Sequence, residues 1–345
     1  MVKNKFYGGV IVGNEKLTAV YDQYEWKITK SIRTRGAILC ETEEGVKLLK
    51  EFRGSLGRLE LEDKVLNLLS EEGISTDTYV RNKNGQILTL DSDGTGYVLK
   101  NWFDGRECDV KNAQEILAAV RSLARLHKGL LRISSKITRD VSQEEEPDLR
   151  EELFHHQKEL KRARSFVRNR RKKSEFEYAI LKDFEHFYMQ GENALELLQK
   201  SDYERRKKEA KEKGIFCHGN YNQHNIMVSM RRMSIVNFEH MNHNFQVMDF
   251  YLFLRKIMEK CNWERHLGFA MLEEYERERK LEEGERAILF AMLSYPEKFW
   301  KIVNHYYNGN KAWISQKDVD KLTNVIHQEE EKQQFLSEMR GKQKE

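Results

Sequence analysis

The stretch Cys217-His-Gly-Asn-Tyr-Asn-Gln-His-Asn-Ile-Met-Val228, with Asn237-Phe-Glu239 beginning nine residues after Val228, gathers the side chains of this sequence best suited to chemistry. They are a histidine ahead of a glycine (His218), the amides Asn220, Asn225 and Asn237, and the carboxylate Glu239. An amide orients a hydroxyl but cannot accept its proton, and general-base help is worth about 10²–10⁴ in rate. Magnesium sites use one or two carboxylates together with phosphates, and here Glu239 is the nearby carboxylate. His218, His224, His240 and His243 have no carboxylate or cysteine at ligand spacing among them, which argues against zinc.

These residues need a frame. Ile226-Met-Val228 and Ser234-Ile-Val236 read as short strands flanking Met230-Arg-Arg-Met233, so Asn225 and Asn237 fall near the same end of a hairpin. Upstream, Ser31 to Cys40 and Val46 to Phe52 read as strands joined through Gly45, and a helix follows from Ser55 to Glu72, closed by Gly73. Gln86 to Leu90 and Gly96 to Trp102 add strands, and a linker over Phe103 to Asp109 leads to a helix starting at Asn112. Beyond it the chain is helical and highly charged. Strand character returns at Gly214 to Cys217 and in the hairpin, and from Gln246 onward the pattern is helix again. This is an α+β layout: a small β-rich N-terminal lobe over residues 1–102, a linker at 103–110, a large helical lobe at 111–325 and a charged tail at 326–345 that frays.

The segment around His218 resembles the catalytic centre of aminoglycoside phosphotransferase and choline kinase-like enzymes, whose pattern is HGDxxxxN followed by an acid pair after a hydrophobic strand. The resemblance implies the protein kinase-like fold of aminoglycoside phosphotransferase type, ATP and Mg²⁺ as cofactors, and phosphoryl transfer by positioning and charge stabilisation. It places Asn220 at the base position and Asn225, Asn237 and Glu239 at the metal positions, with Asn220 and Asn237 replacing aspartates. The fold also calls for a strand lysine paired with a helix glutamate. Lys50 ends the strand, and Glu62 lies within the apolar stripe of Leu59, Val65, Leu66 and Leu69, so the expected pair is Lys50 with Glu62. Asp249, at the start of the helix Phe250 to Ile257, would brace the catalytic loop and at minimum cap that helix. Gly36 is the only glycine between Ile32 and Cys40, a poor phosphate loop.

The order HGNYNQHNIM, VNFE, DFYLFLRKIMEK and Leu293-Ser-Tyr-Pro-Glu-Lys-Phe-Trp-Lys-Ile-Val-Asn-His-Tyr-Tyr-Asn308 is similar to the CotS family of bacterial spore coat proteins, over Tyr21 to Leu322. That implies a protein made in the mother-cell cytoplasm and deposited on the spore coat, with other coat proteins as partners. With both aspartates replaced, the expectation is a pseudokinase scaffold for coat assembly. The alternative is a working phosphotransferase for a small hydroxylated metabolite or a spore-surface sugar.

Composition agrees with a folded chain and removes other classes. Lys+Arg 60 against Asp+Glu 56 leaves +4 over 345 residues, too little to imply nucleic acid. Hydrophobic residues at 39% can supply a core, and two prolines leave long helices uninterrupted. Four isolated cysteines form no CxxC pair, which points to a reducing compartment and no Cys-based zinc site. Met1 to Lys5 begins no signal peptide, and the apolar run Ala287 to Leu293 is far short of a membrane span. Lys161 to Lys173 holds eight bases and no acid, either a solvated helix face or a docking surface for an acidic coat partner or anionic polymer.

Overall fold

The computed structural model describes residues 15–137, 148–230, 232–309 and 314–341. In chain order it contains α1 (Glu15–Tyr21), β1 (Ile28–Thr34), β2 (Ala37–Thr42), β3 (Gly45–Glu51), α2 (Leu56–Glu71), β4 (Tyr79–Val80), β5 (Leu88–Leu90), β6 (Gly96–Asn101) and β7 (Arg106–Glu107). Then come α3 (Ala113–Ile133), α4 (Leu149–Asn169), α5 (Glu175–Lys200), α6 (Tyr203–Lys213), β8 (Phe216–Cys217), β9 (Ile226–Val228), β10 (Met233–Ile235) and β11 (Asn242–His243). The chain ends in α7 (Val247–Lys260), α8 (Arg265–Glu278), α9 (Glu283–Ser294), α10 (Glu297–Asn308), α11 (Gln316–His327) and α12 (Glu329–Gly341). It divides into two compact units. The first is Met1–Cys108, Gly129–Ser142 and Gln223–Met241; the second is Asp109–Lys128, Gln143–Asn222 and Asn242–Glu345.

In the first unit an antiparallel sheet runs β1-β2-β3-β6-β4, with β5 also on β6. The stretch from Ser31 to Cys40, expected as one strand, is split by a hairpin: Thr34 pairs with Ala37, leaving Arg35 and Gly36 as the turn, and Gly36 takes φ +69°. A two-residue turn of this kind needs left-handed backbone, which glycine adopts without strain. Leu49 and Leu99 face α1, packing with Leu17, Val20, Ile38 and Cys40. Strand alternation sends Leu48, Lys50, Val98 and Lys100 to the opposite face, where Val98 packs with Leu59 of α2. Ser55 caps α2 by accepting from the Arg58 amide. The β9–β10 hairpin also belongs to this unit, with β7 pairing β9 and the Ile235 amide donating to the Ser75 carbonyl.

The second unit is helical. α4, α5 and α10 enclose an aromatic core in which Phe187 stacks on Phe299 and Glu177 accepts from Tyr306. The segment expected to fray is instead the packed helix α12: Phe335, Leu336 and Met339 recur at helical spacing and are buried. Lys332, one turn earlier, is buried with them and donates to the carbonyls of Ser294 and Tyr295 at 3.3 and 3.2 Å. Among the described residues no helix is long and apolar enough to cross a membrane.

Candidate nucleotide and phosphotransfer site

The expected pair of Lys50 with Glu62 does not form. Glu62 is buried on α2 and accepts from Lys100 at 2.8 Å, and the same ammonium donates to Asp77 Oδ2 at 3.0 Å. Lys100 lies on β6 directly opposite Leu48 of β3, so it shares the sheet face with Lys50. A buried carboxylate takes the cation that loses least hydration on meeting it. Lys100 is already 96% out of solvent, whereas the Lys50 side chain keeps 30% exposure. The Lys100 ammonium also lies 4.5 Å from the centre of the Tyr79 ring. Burial disfavours charge on Lys100, but the facing carboxylates of Asp77 and Glu62 outweigh it and hold its pKa well above the lysine range. Burial raises the Asp77 pKa despite Lys100, and among the described residues Asp77 Oδ1 has no hydrogen-bond partner.

Lys50 instead pairs with Glu239. Burial alone would raise the Glu239 pKa; the Lys50 ammonium overrides this and lowers it. Arg58, in the first turn of α2, donates to the carbonyls of Glu239 at 3.1 Å and Met241 at 2.5 Å. Asn237 is held in left-handed backbone, φ 65°, with its amide N–H donating to Asp77 Oδ2 at 3.0 Å. Its side chain donates to Asn225 Oδ1 at 2.8 Å. The segment from Asn237 to Met241 is thus fastened by an aspartate, a lysine and an arginine of the same unit.

In the second unit, Asp249 sits in the first turn of α7, whose cap is Gln246, so its expected capping role is not taken. Its bracing geometry is present: the His218 and Gly219 amides donate to its two oxygens at 2.7 and 2.9 Å. His127 lies 3.3 Å from Asp249 on one ring nitrogen and 2.7 Å from the Tyr275 hydroxyl on the other. The His218 ring accepts from the Asn220 amide, and Asn222 donates to both the carbonyl and the side-chain oxygen of Asn220 at 2.9 Å. The Asn220 side chain is therefore already hydrogen-bonded within its own loop.

The donors available for Mg²⁺ are two amides and one carboxylate. Asn225 Oδ1 accepts from Asn237, and Glu239 is neutralised by Lys50. Magnesium demands near-octahedral oxygen ligands and parts reluctantly with water, so a carboxylate already neutralised by a lysine and an amide oxygen already engaged form a poor site for it. Among the described residues no group of three His, Cys, Asp or Glu side chains is placed to hold a metal. Lys100, Asp77 and Arg58 were not singled out in the sequence. Lys100 alone carried a signal, as a lysine alternating with Val98 in an apolar strand.

A family model described as "Spore coat putative kinase YutH" matches residues 17–339. The chain belongs to this spore coat kinase-like family. Spore coat protein S of Bacillus subtilis (strain 168) is 25% identical over 304 residues, covering 87% of this chain and 85% of that protein. An aminoglycoside phosphotransferase from Alicyclobacillus acidocaldarius superposes with TM-score 0.85 at 17% identity, covering 99% of both chains. A spectinomycin phosphotransferase, solved with ADP and spectinomycin, superposes with TM-score 0.57 at 12% identity, over 92% of this chain and 94% of that one. The family member thus has the aminoglycoside phosphotransferase fold, with an antiparallel N-terminal sheet and a helical C-terminal part, as the sequence motifs imply.

Proposed function

We propose that this spore coat family member is a pseudokinase scaffold that joins other coat proteins on the developing spore, after synthesis in the mother-cell cytoplasm. The observation that carries the reading is the state of the two amides at the acid positions. Asn220 is engaged by Asn222 and Asn237 by Asn225, while Lys50 is engaged by Glu239. Each group that would meet ATP, Mg²⁺ or an acceptor hydroxyl is turned towards a protein partner. The coat setting rests on the family and on the likeness to spore coat protein S.

Thermal shift with millimolar MgATP tests the reading. A ligand at 100 times its dissociation constant stabilises a protein by about 2.7 kcal/mol, a shift that is easily read. The scaffold reading expects none. Transfer of γ-phosphate to a small hydroxylated compound, abolished by Asn220→Ala, would overturn it in favour of a working phosphotransferase using Asn225 and Glu239.

A further inference from the structure

In the second unit most described arginines, buried and exposed together, are committed to a carboxylate. Arg121 pairs with Glu274, Arg150 with Glu204, Arg164 with Glu185, and Arg170 with Glu177. The described arginines of this unit without a described carboxylate partner are Arg162, Arg168, Arg171 and Arg340, and the first three lie within ten residues of each other. Lys172 joins them, exposed and likewise without a described carboxylate partner. Arg162 and Arg168 stand on the outer face of α4, and Arg171 and Lys172 continue past its C-cap, Arg170. Cations near a helix C-terminus are favoured by its dipole, which accounts for the last turn but not for Arg162, two turns inside.

We infer that the face formed by Arg162, Arg168, Arg171 and Lys172 is a docking surface for an acidic polypeptide segment. Arginine offers a planar fork that matches a carboxylate in two hydrogen bonds, and unpaired forks keep that capacity for a partner. Arg162 and Arg168 are about 9 Å apart along the helix axis and about 120° apart around it, so a partner segment that reaches both crosses the exposed side of α4 obliquely. The strip is also short. Glu151 and Glu152 occupy the other end of α4, and Glu175 opens α5. A nucleic-acid backbone, with about one charge per 1.7 Å of duplex, would run off the strip onto these acids. A brief acidic segment ends where the strip ends. The proposal does not depend on whether nucleotide binds at Lys50.

Fluorescence anisotropy on the full-length protein with a labelled Glu/Ser peptide tests the assignment. The peptide should bind at low ionic strength, weaken as salt is raised, and bind about tenfold more weakly to the Arg162→Gln/Arg168→Gln/Arg171→Gln variant. These side chains have no described partner, so circular dichroism should be unchanged. Lys50→Ala should bind as wild type, which separates this proposal from the pseudokinase reading. Three outcomes overturn it: no peptide binding at low salt, tighter binding of labelled oligothymidylate than of the peptide, or equal weakening when Lys208, Lys211 and Lys213 of α6 are changed to Gln instead.

Discussion

Replacing Lys100 by methionine should destabilise the first unit far more than the same change at Lys50. Lys100 is 4% exposed, Glu62 5% and Asp77 fully buried, and one ammonium serves both carboxylates. Methionine fills much the same volume, so packing changes little and the charge is what is removed. Breaking a buried ion pair by deleting one partner costs about 3–5 kcal/mol, because the remaining charge stays desolvated. That is a large share of a typical folding free energy of about 5–15 kcal/mol. Lys50 and Glu239 retain 30% and 43% side-chain exposure, so Lys50→Met should cost about 1 kcal/mol or less. The cost at Lys100 also has a pH signature. Without Lys100 the Asp77 carboxyl, already raised by burial, rises further. A carboxyl whose folded pKa is raised favours the folded state below its unfolded pKa and loses that contribution as pH climbs through the folded value. The deficit of Lys100→Met should therefore shrink as pH is lowered towards the carboxylate range. The triple change Glu62→Gln/Asp77→Asn/Lys100→Met, which removes the stranded charges as well, should recover most of the loss. Urea denaturation of the variants at several pH values measures all of this. If Lys50→Met costs as much as Lys100→Met, the assignment of Glu62 to Lys100 is wrong.

The left-handed Asn237 donates its backbone N–H to Asp77 and its side-chain amide to Asn225, so Asn237→Asp should lose about 1–3 kcal/mol by removing the second bond and adding charge beside a buried carboxylate. Adding Asp77→Asn should relieve part of that loss, and strictly additive costs in a double-mutant cycle would refute the coupling. Burial lowers the pKa values of His127, His156 and His243, so the folded state binds fewer protons than the unfolded chain just below the ordinary histidine value of about 6.5. Stability should accordingly fall as pH drops below that value, before carboxylates titrate; His243→Gln should flatten the slope, and an unchanged slope would show that His243 contributes nothing to it. At the linker, a Cβ on Gly105 would lie 2.5 Å from the Val228 carbonyl oxygen, so Gly105→Ala should cost about 1–3 kcal/mol by thermal or urea denaturation.

What the chain made legible was local. Asn225 and Asn237 take their places from spacing at the ends of a short hairpin, and β9 and β10 pair as that spacing requires. Glu62 was recognisable as a carboxylate in need of a cation, because its position in a helical stripe is set by neighbours three and four residues away. Which cation answers it is a non-local fact. It depends on the register that sets Leu48 against Lys100 and Lys50 against Val98, fixed by strands far apart in the chain. Asp77 was less readable still, since Ser75-Thr76-Asp77-Thr78 has no periodicity, and its position follows from the bridge that ties Thr76 to Ile235. Lys100, the cation misread as Lys50 in the pair with Glu62, and the backbone amide of residue 237 meet at one carboxylate, Asp77. A sequence in which residue 237 is an amide looks as if it has lost a negative charge at this point, yet Asp77 supplies one that accepts from the backbone of that same residue. That carboxylate is fully buried and shares Lys100 with Glu62, so it is held by the sheet instead of being presented to phosphates or a metal. In this arrangement Asp77 and Glu62 are acids that fix the fold through Lys100, and Lys50 has Glu239 as its partner. The position of α2 is then set within the unit, by the buried charges of Lys100, Glu62 and Asp77 together with the packing of Leu59 on Val98.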